Sequence, residues 1–219
     1  MRKINKSKIL SKGYELWLKS LEGDHPKYYS SHKYIKDIKM NLLFCQKGLC
    51  AYTEELLCDP ELIKTENWNE DRYITDLSTG NLINGDVEHF DCTLKDNKAY
   101  LWDNLFMVNS NINCRVKKTK PIKKILKPDS KDYDEYRYLQ FDHTLNRFIP
   151  NNNLSQNEKT DILEMIETLG INSNAFKRAK QIKSLKEDFL LDLDLNEPIE
   201  YITSWKMTLL DLQAKKEWK

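Results

Sequence analysis

The 219-residue chain has no apolar run near the roughly eighteen residues that a membrane-crossing helix takes. Its opening stretch, MRKINKSKILSKGYELW, follows its basic residues with no apolar segment. Neither a membrane span nor a secretory leader is therefore expected, and a cytoplasmic protein is. An excess of charge is missing too: 35 Lys and Arg face 34 Asp and Glu, a formal net charge of +1. No global field draws in nucleic acid, so any such partner has to be held by a local patch. Only six Gly and six Pro are present, which sets aside low-complexity and collagen-like chains and fits an ordinary helix-rich globular protein. The five cysteines, at 45, 50, 58, 92 and 114, are an odd number, and no two have the two-residue gap of a zinc knuckle. A disulfide framework is not expected, and the cysteines alone indicate no metal or catalytic chemistry.

What is present is a mixture of helical and strand-like signals, an α+β chain that is mainly α-helical. A first helix is expected within 4–20. Apolar residues at 35, 38, 42, 43 and 45 recur at helical spacing, so a second helix is expected over 31–47, with Gly48 as its stop. Residues 49–63 read as an extended piece and a helix broken near Pro60, and 64–84 as a polar stretch with reversals at STG and NG. GDVEHFDCTLKDNKAYLWDNLFMV, residues 85–108, reads as two short strands around a loop. Asn109 or Ser110 then caps a helix running to about 119, before Pro121. YRYLQFDHTLNRFIP reads as a hairpin pivoting on 142–146. Ser155 and Glu158 form a capping box for a helix whose apolar positions 162, 163, 166 and 169 share a face, with Gly170 at its end. Two more helices fill 173–194 and 198–217, the last entered through Pro198. The LLDLDL run is expected in the core.

The chemistry-bearing residues lie between 88 and 124. Phosphodiester hydrolysis needs a deprotonated water in line with phosphorus, a cation against the developing charge and help for the leaving oxygen. His89 can serve as the base, because a neutral imidazole titrates near physiological pH. Glu88 and Asn113 offer hard oxygen ligands of the kind Mg²⁺ prefers. Asn104, between the hairpin and the helix, can brace the histidine's strand. Lys117, one helical turn after Asn113, is placed to meet a phosphate. Residues 115–127, RVKKTKPIKKILK, contain seven basic and no acidic residues. Arg115, Lys117, Lys118, Lys120, Lys123 and Lys124 are the expected nucleic-acid contacts. His25 and His32 lie in polar segments and read as surface residues, and His143 reads as a structural turn residue. Cys114 lacks a base to activate it.

This order of residues resembles the HNH, or ββα-metal, nuclease family: an acid–His pair, an Asn within WDNL, and an Asn opening the helix. The resemblance implies His89 as general base, Glu88 and Asn113 as ligands of Mg²⁺ or Mn²⁺, and Asn104 as the brace, over residues 86–118. QKGLCAYTEELL, and LQFDHTLNRFIP followed by EMIETLGINSNAFKRAK, are similar to the PtuB-like HNH proteins of Septu and retron anti-phage systems. That similarity implies one HNH module wrapped by helices and an ATPase partner; the expected domains are a nuclease domain over 1–127 with its N-terminal helices and a hairpin and helical region over 128–219. DNA is the favoured substrate and RNA the alternative; a ββα-metal site handles the phosphate and does not itself discriminate the 2′-OH. The chain departs from the group where Thr53, Asn109 and Ile112 stand at positions that carry cysteines in many relatives. No structural zinc is expected, and Trp102, Leu105 and Phe106 are expected to supply packing in its place. A competing reading is a catalytically degraded subunit that binds nucleic acid or an ATPase. A free-standing restriction enzyme would need a base-reading module, and none is visible.

Overall fold

In a computed structural model, which describes residues 1–78 and 82–217, the chain mixes helices with two small antiparallel sheets. Its contacts divide into two compact units. One comprises residues 4–51 and 56–122, the other residues 1–3, 52–55 and 123–219. The contact division falls after Ile122, and two short N-terminal pieces belong to the C-terminal unit. Among the described residues no helix is long and apolar enough to cross a membrane.

The first unit holds α1 (Lys12–Ser20), α2 (Ile35–Gln46), β1 (Asp86–His89) and β2 (Leu105–Val108). Lys47, in left-handed conformation, ends α2, and Gly48 follows at φ +78°. Buried Asp37 of α2 gathers Ser11 Oγ at 2.8 Å, the Tyr73 N–H at 2.8 Å and Arg72 Nε at 2.7 Å, tying three segments to one carboxylate. Gln46, at the end of α2, works as a surrogate strand. Its Oε1 accepts the Met107 N–H at 2.8 Å and its Nε2 donates to the Met107 carbonyl at 2.8 Å. The Ala51 N–H bonds that same carbonyl at 3.0 Å. Gly85 precedes β1 because a Cβ there would sit 2.7 Å from the Val108 carbonyl oxygen. Trp102, Leu105 and Phe106 are buried, as expected. Of the two turn signals in 64–84, Thr79 and Gly80 of STG lie outside the described residues.

The second unit contains α3 (Glu135–Tyr138), β3 (Leu139–Asp142), β4 (Arg147–Pro150), α4 (Gln156–Thr168), α5 (Ala175–Leu190) and α6 (Ile202–Glu217). The β3–β4 register pairs Asp142 with Arg147 around the expected pivot. Ser155 and Glu158 form the reciprocal capping box, and Gly170 takes φ +62°. Asn172 docks on β4, accepting the Phe148 N–H at 2.7 Å and donating to its carbonyl at 2.9 Å. Arg178 is fully buried, lies over the rings of Phe141 and Phe148, and donates to the carbonyls of Asn146 and Ile171. The LGIN segment and Arg178 thus dock the hairpin. Two expectations fail here. Leu163 is half exposed while Met165 takes the inner position, and Leu190, Leu191 and Leu193 of LLDLDL are exposed. Helix α6 begins four residues after Pro198, at Ile202. Its start is set by Glu54, whose carboxylate accepts the Thr203 N–H at 2.8 Å.

Candidate active site

β1 and β2 pair antiparallel with Glu88 opposite Phe106 and His89 opposite Leu105. One further backbone bond, Phe90 N–H to the Asn104 carbonyl at 2.8 Å, extends the ladder beyond His89. The Asn104 side chain then closes the loop: its Oδ1 accepts the Asp91 N–H at 2.8 Å and its Nδ2 donates to the Asp91 carbonyl at 2.9 Å. A strand pair with a fifteen-residue connection needs such a clamp, because both ends of the loop would otherwise fray. Asn104 is buried, so these bonds replace water that it cannot reach.

His89 is 5% exposed. Its Nε2 lies 2.8 Å from the Ala99 carbonyl oxygen, an acceptor only, so Nε2 carries the proton and donates. The lone pair is therefore on Nδ1. Among the described residues Nδ1 meets no protein partner, and it is not among the sealed polar atoms. Tyr28 stands edge-on against the imidazole, with ring centroids 5.1 Å apart and planes at 85°. Burial lowers the pKa of His89 below the usual imidazole value. The Ala99 bond opposes this shift, and the positive charges of Lys95 and Lys117 add to it. A neutral imidazole with its proton fixed on one nitrogen and its lone pair open on the other is chemically a base.

After β2 the chain turns at Asn109, whose Oδ1 accepts the Asn111 N–H at 2.9 Å. It then winds through a wide helical turn, Ile112–Lys117, in which the Lys118 N–H reaches back five residues to the Asn113 carbonyl at 3.1 Å. The Asn113 side chain is half-buried and, among the described residues, makes no hydrogen bond. Ile112 is buried, and Cys50 Sγ accepts the Asn109 N–H at 3.4 Å, so this corner is held by packing and a thiol contact.

Glu88 and Lys117 occupy positions that the sequence reading did not foresee. Alternation along β1 turns Glu88 and His89 to opposite sides of the ribbon. Glu88 is buried and ion-paired to Lys117, whose side chain is 0% exposed and whose Nζ also donates to the His89 carbonyl at 3.0 Å. Burial raises the Glu88 pKa, opposed by the adjacent Lys117. Lys117 is therefore corrected from a phosphate contact to an internal cation, since a buried ammonium bonded to a carboxylate and a carbonyl cannot meet a polymer. The wide turn explains the error. Four-residue spacing puts 113 and 117 on one face of an α-helix, and the five-residue bond removes that registration.

The remaining basic residues divide. Arg115, Lys118 and Lys120 are exposed in the unit that carries His89. Lys123 and Lys124 belong to the other unit, where Lys124 is exposed and Lys123 is bound to Asp161 at 2.7 Å and to Glu164. Lys123 is thus not a free cation for phosphate. His25 and His32 are partly exposed: His25 Nδ1 accepts the Tyr100 N–H at 3.0 Å, and the His32 ring lies 4.6 Å from that of Trp17 at a tilt of 34°. In the second unit, His143 pairs with Asp211 at 2.6 Å. All five cysteines are free thiols.

The sequence reading missed Tyr28 and the Ala99 carbonyl. Tyr28 lies 61 positions before His89 in an aromatic-rich segment, PKYYSSHKY, and that composition was the one available signal. A backbone carbonyl carries no residue signature at all. No protein-family model matches the chain, and no curated protein matches it.

Proposed function

We propose that the chain is an HNH-type endonuclease that hydrolyses phosphodiester bonds of nucleic acid, DNA in preference to RNA. The observation that carries this reading is His89: a buried, neutral imidazole pinned through Nε2 to Ala99, with Nδ1 open, at the end of a β-hairpin followed by a helical turn. The resemblance to PtuB-like proteins supports a place in a bacterial anti-phage system, with an ATPase subunit as partner.

In this mechanism His89 Nδ1 takes the proton of the attacking water, and the resulting imidazolium is held by the Ala99 carbonyl on its other nitrogen. Asn104 keeps the strand end and its loop in register, a positioning role. The family implies Mg²⁺ or Mn²⁺, which when bound neutralises charge developing on the phosphate. The residues fit that ion unevenly. Asn113 offers an uncommitted amide oxygen, whereas the Glu88 carboxylate is already neutralised by Lys117. Mg²⁺ commonly keeps several waters and takes substrate phosphate oxygens, so Asn113 is the residue of this chain suited to hold it.

A second reading, a nucleic-acid- or ATPase-binding subunit without catalysis, draws on the same Glu88–Lys117 pair. The test is incubation of the chain and of His89→Ala with plasmid, linear DNA and total RNA in Mg²⁺, Mn²⁺ or EDTA. Breakage that needs the metal and the histidine supports the nuclease and identifies its polymer. Salt-sensitive binding without strand scission, also in the presence of the ATPase, favours the second reading.

A further inference from the structure

We infer that Lys117, and not a divalent ion, is the cation that neutralises Glu88, so that the acid of the Glu88–His89 pair is a structural counter-ion and not a metal ligand. This rests on reading His89 as the base of a hydrolytic site and assigns the electrostatics of that site.

Two observations carry it. The first is geometric: the Lys117 ammonium is fully buried and bonded at once to the Glu88 carboxylate and, at 3.0 Å, to the His89 carbonyl. A divalent ion coordinated by this carboxylate would be placed against an ammonium, and like charges at that separation in a buried setting repel strongly. The second is the stereochemistry of β1: Glu88 faces the helical turn while the His89 ring meets Tyr28 on the other side. A metal held by Glu88 would therefore sit across the ribbon from the base.

The Lys117 ammonium, tethered by its own chain, fixes two things at once: the charge on Glu88 and the position of the His89 peptide. It therefore couples the helical turn to the strand that carries the base.

Binding of Mn²⁺ to the full chain, with no nucleic acid present, tests the inference separately from the nuclease reading. The signal of free aqueous Mn²⁺ in electron paramagnetic resonance is the readout. Wild type and Glu88→Gln are expected to bind Mn²⁺ equally. Lys117→Met is expected to bind one ion at least ten times more tightly, because a bare carboxylate is created. The double variant, Glu88→Gln with Lys117→Met, is expected to lose that gain. Weaker binding by Glu88→Gln than by wild type overturns the inference, as does the absence of any gain in folded Lys117→Met. Should the variants not fold, wild-type crystals grown in Mn²⁺ decide. Anomalous density on the Glu88 carboxylate with Lys117 displaced overturns the inference, and an intact Glu88–Lys117 pair sustains it. Failure of the His89-dependent cleavage assay would instead remove the nuclease reading while leaving these metal-binding outcomes readable.

Discussion

His89 Nε2 donates to the Ala99 carbonyl at 2.8 Å, and this bond selects which nitrogen of the ring is basic. Replacing His89 with Ala removes the proton acceptor and is expected to lower cleavage at least a hundredfold, the lower end of what general-base catalysis contributes. Asn113→Ala is expected to reduce cleavage strongly with no comparable loss of thermal stability, because its side chain has no partner in the fold. Initial rates on labelled DNA, with melting temperatures beside them, check both. Undiminished cleavage by His89→Ala would remove His89 as the base.

The pH profile follows from the direction of the His89 shift. Burial holds its folded value below the usual imidazole value, so the ring stays neutral and competent to lower pH than a free imidazole. The acid limb of the rate profile is expected to lie below 6.5. For stability the sign is that of a depressed group. The contribution is fully present above the unfolded value and is lost as pH falls from there through the folded one. Rates and urea midpoints measured across pH 5–8 for wild type and His89→Gln isolate the histidine's part. An acid limb above 6.5 contradicts the assignment.

Asn104 makes a sharper stability prediction than its neighbours. Its side chain holds both the N–H and the carbonyl of Asp91, and Asn104→Ala would leave these partly buried groups unmatched. A loss of about 1–3 kcal/mol is expected, along with reduced cleavage. Asn104→Asp, which sets a second acceptor against the Asp91 carbonyl and a charge in a buried position, is expected to be no milder than Asn104→Ala. Chemical denaturation measures the first effect and initial rates the second.

The legible parts of this fold are those written in local chemistry. The β3–β4 hairpin, the Ser155–Glu158 box and the Gly170 terminator depend on residues within a few positions of each other, and each stands where the spacing placed it. The bracing role of Asn104 was legible from its residue type, but it was expected between the hairpin and the helix and stands instead in the β1–β2 connection, directly before β2. Lys117 was not. Whether it faces phosphate or core depends on a wide turn closed by the Lys118-to-Asn113 bond, a backbone choice that helical periodicity does not encode. LLDLDL misled because apolar composition says nothing about which side a helix end presents once α5 has stopped at Leu190. The role of Gln46 also escaped, since a glutamine that imitates a strand edge is recognisable only once β2 lies beside it.

The exposed cations make an electrostatic prediction. Arg115, Lys118 and Lys120 are solvated and share a unit with His89, while Lys123 is engaged by two carboxylates. If the three contact duplex phosphates, changing all of them to Gln reduces the slope of log binding constant against log salt by about 3. Lys123→Gln is expected to leave the slope unchanged. Fluorescence anisotropy over a salt series measures both, and equal effects would place the contact surface elsewhere.

The Glu88–Lys117 pair predicts strong non-additivity. Removing either partner strands the other charge in the core, a loss of about 3–5 kcal/mol for Glu88→Gln or Lys117→Met taken singly. The double replacement removes both desolvation costs together with the attraction between them, so it is expected to cost much less than the sum. The pair also has a pH signature. Burial, opposed by Lys117, raises the Glu88 value, so any contribution from this shift is present below the unfolded value and fades as pH rises through the folded one. Lys117→Met should therefore be least destabilised in acid, where Glu88 is neutral, and most destabilised above neutrality. Urea denaturation of the four proteins of the cycle at pH 5 and pH 8 measures both effects, and additive losses at both values would show that the two side chains do not act as a pair.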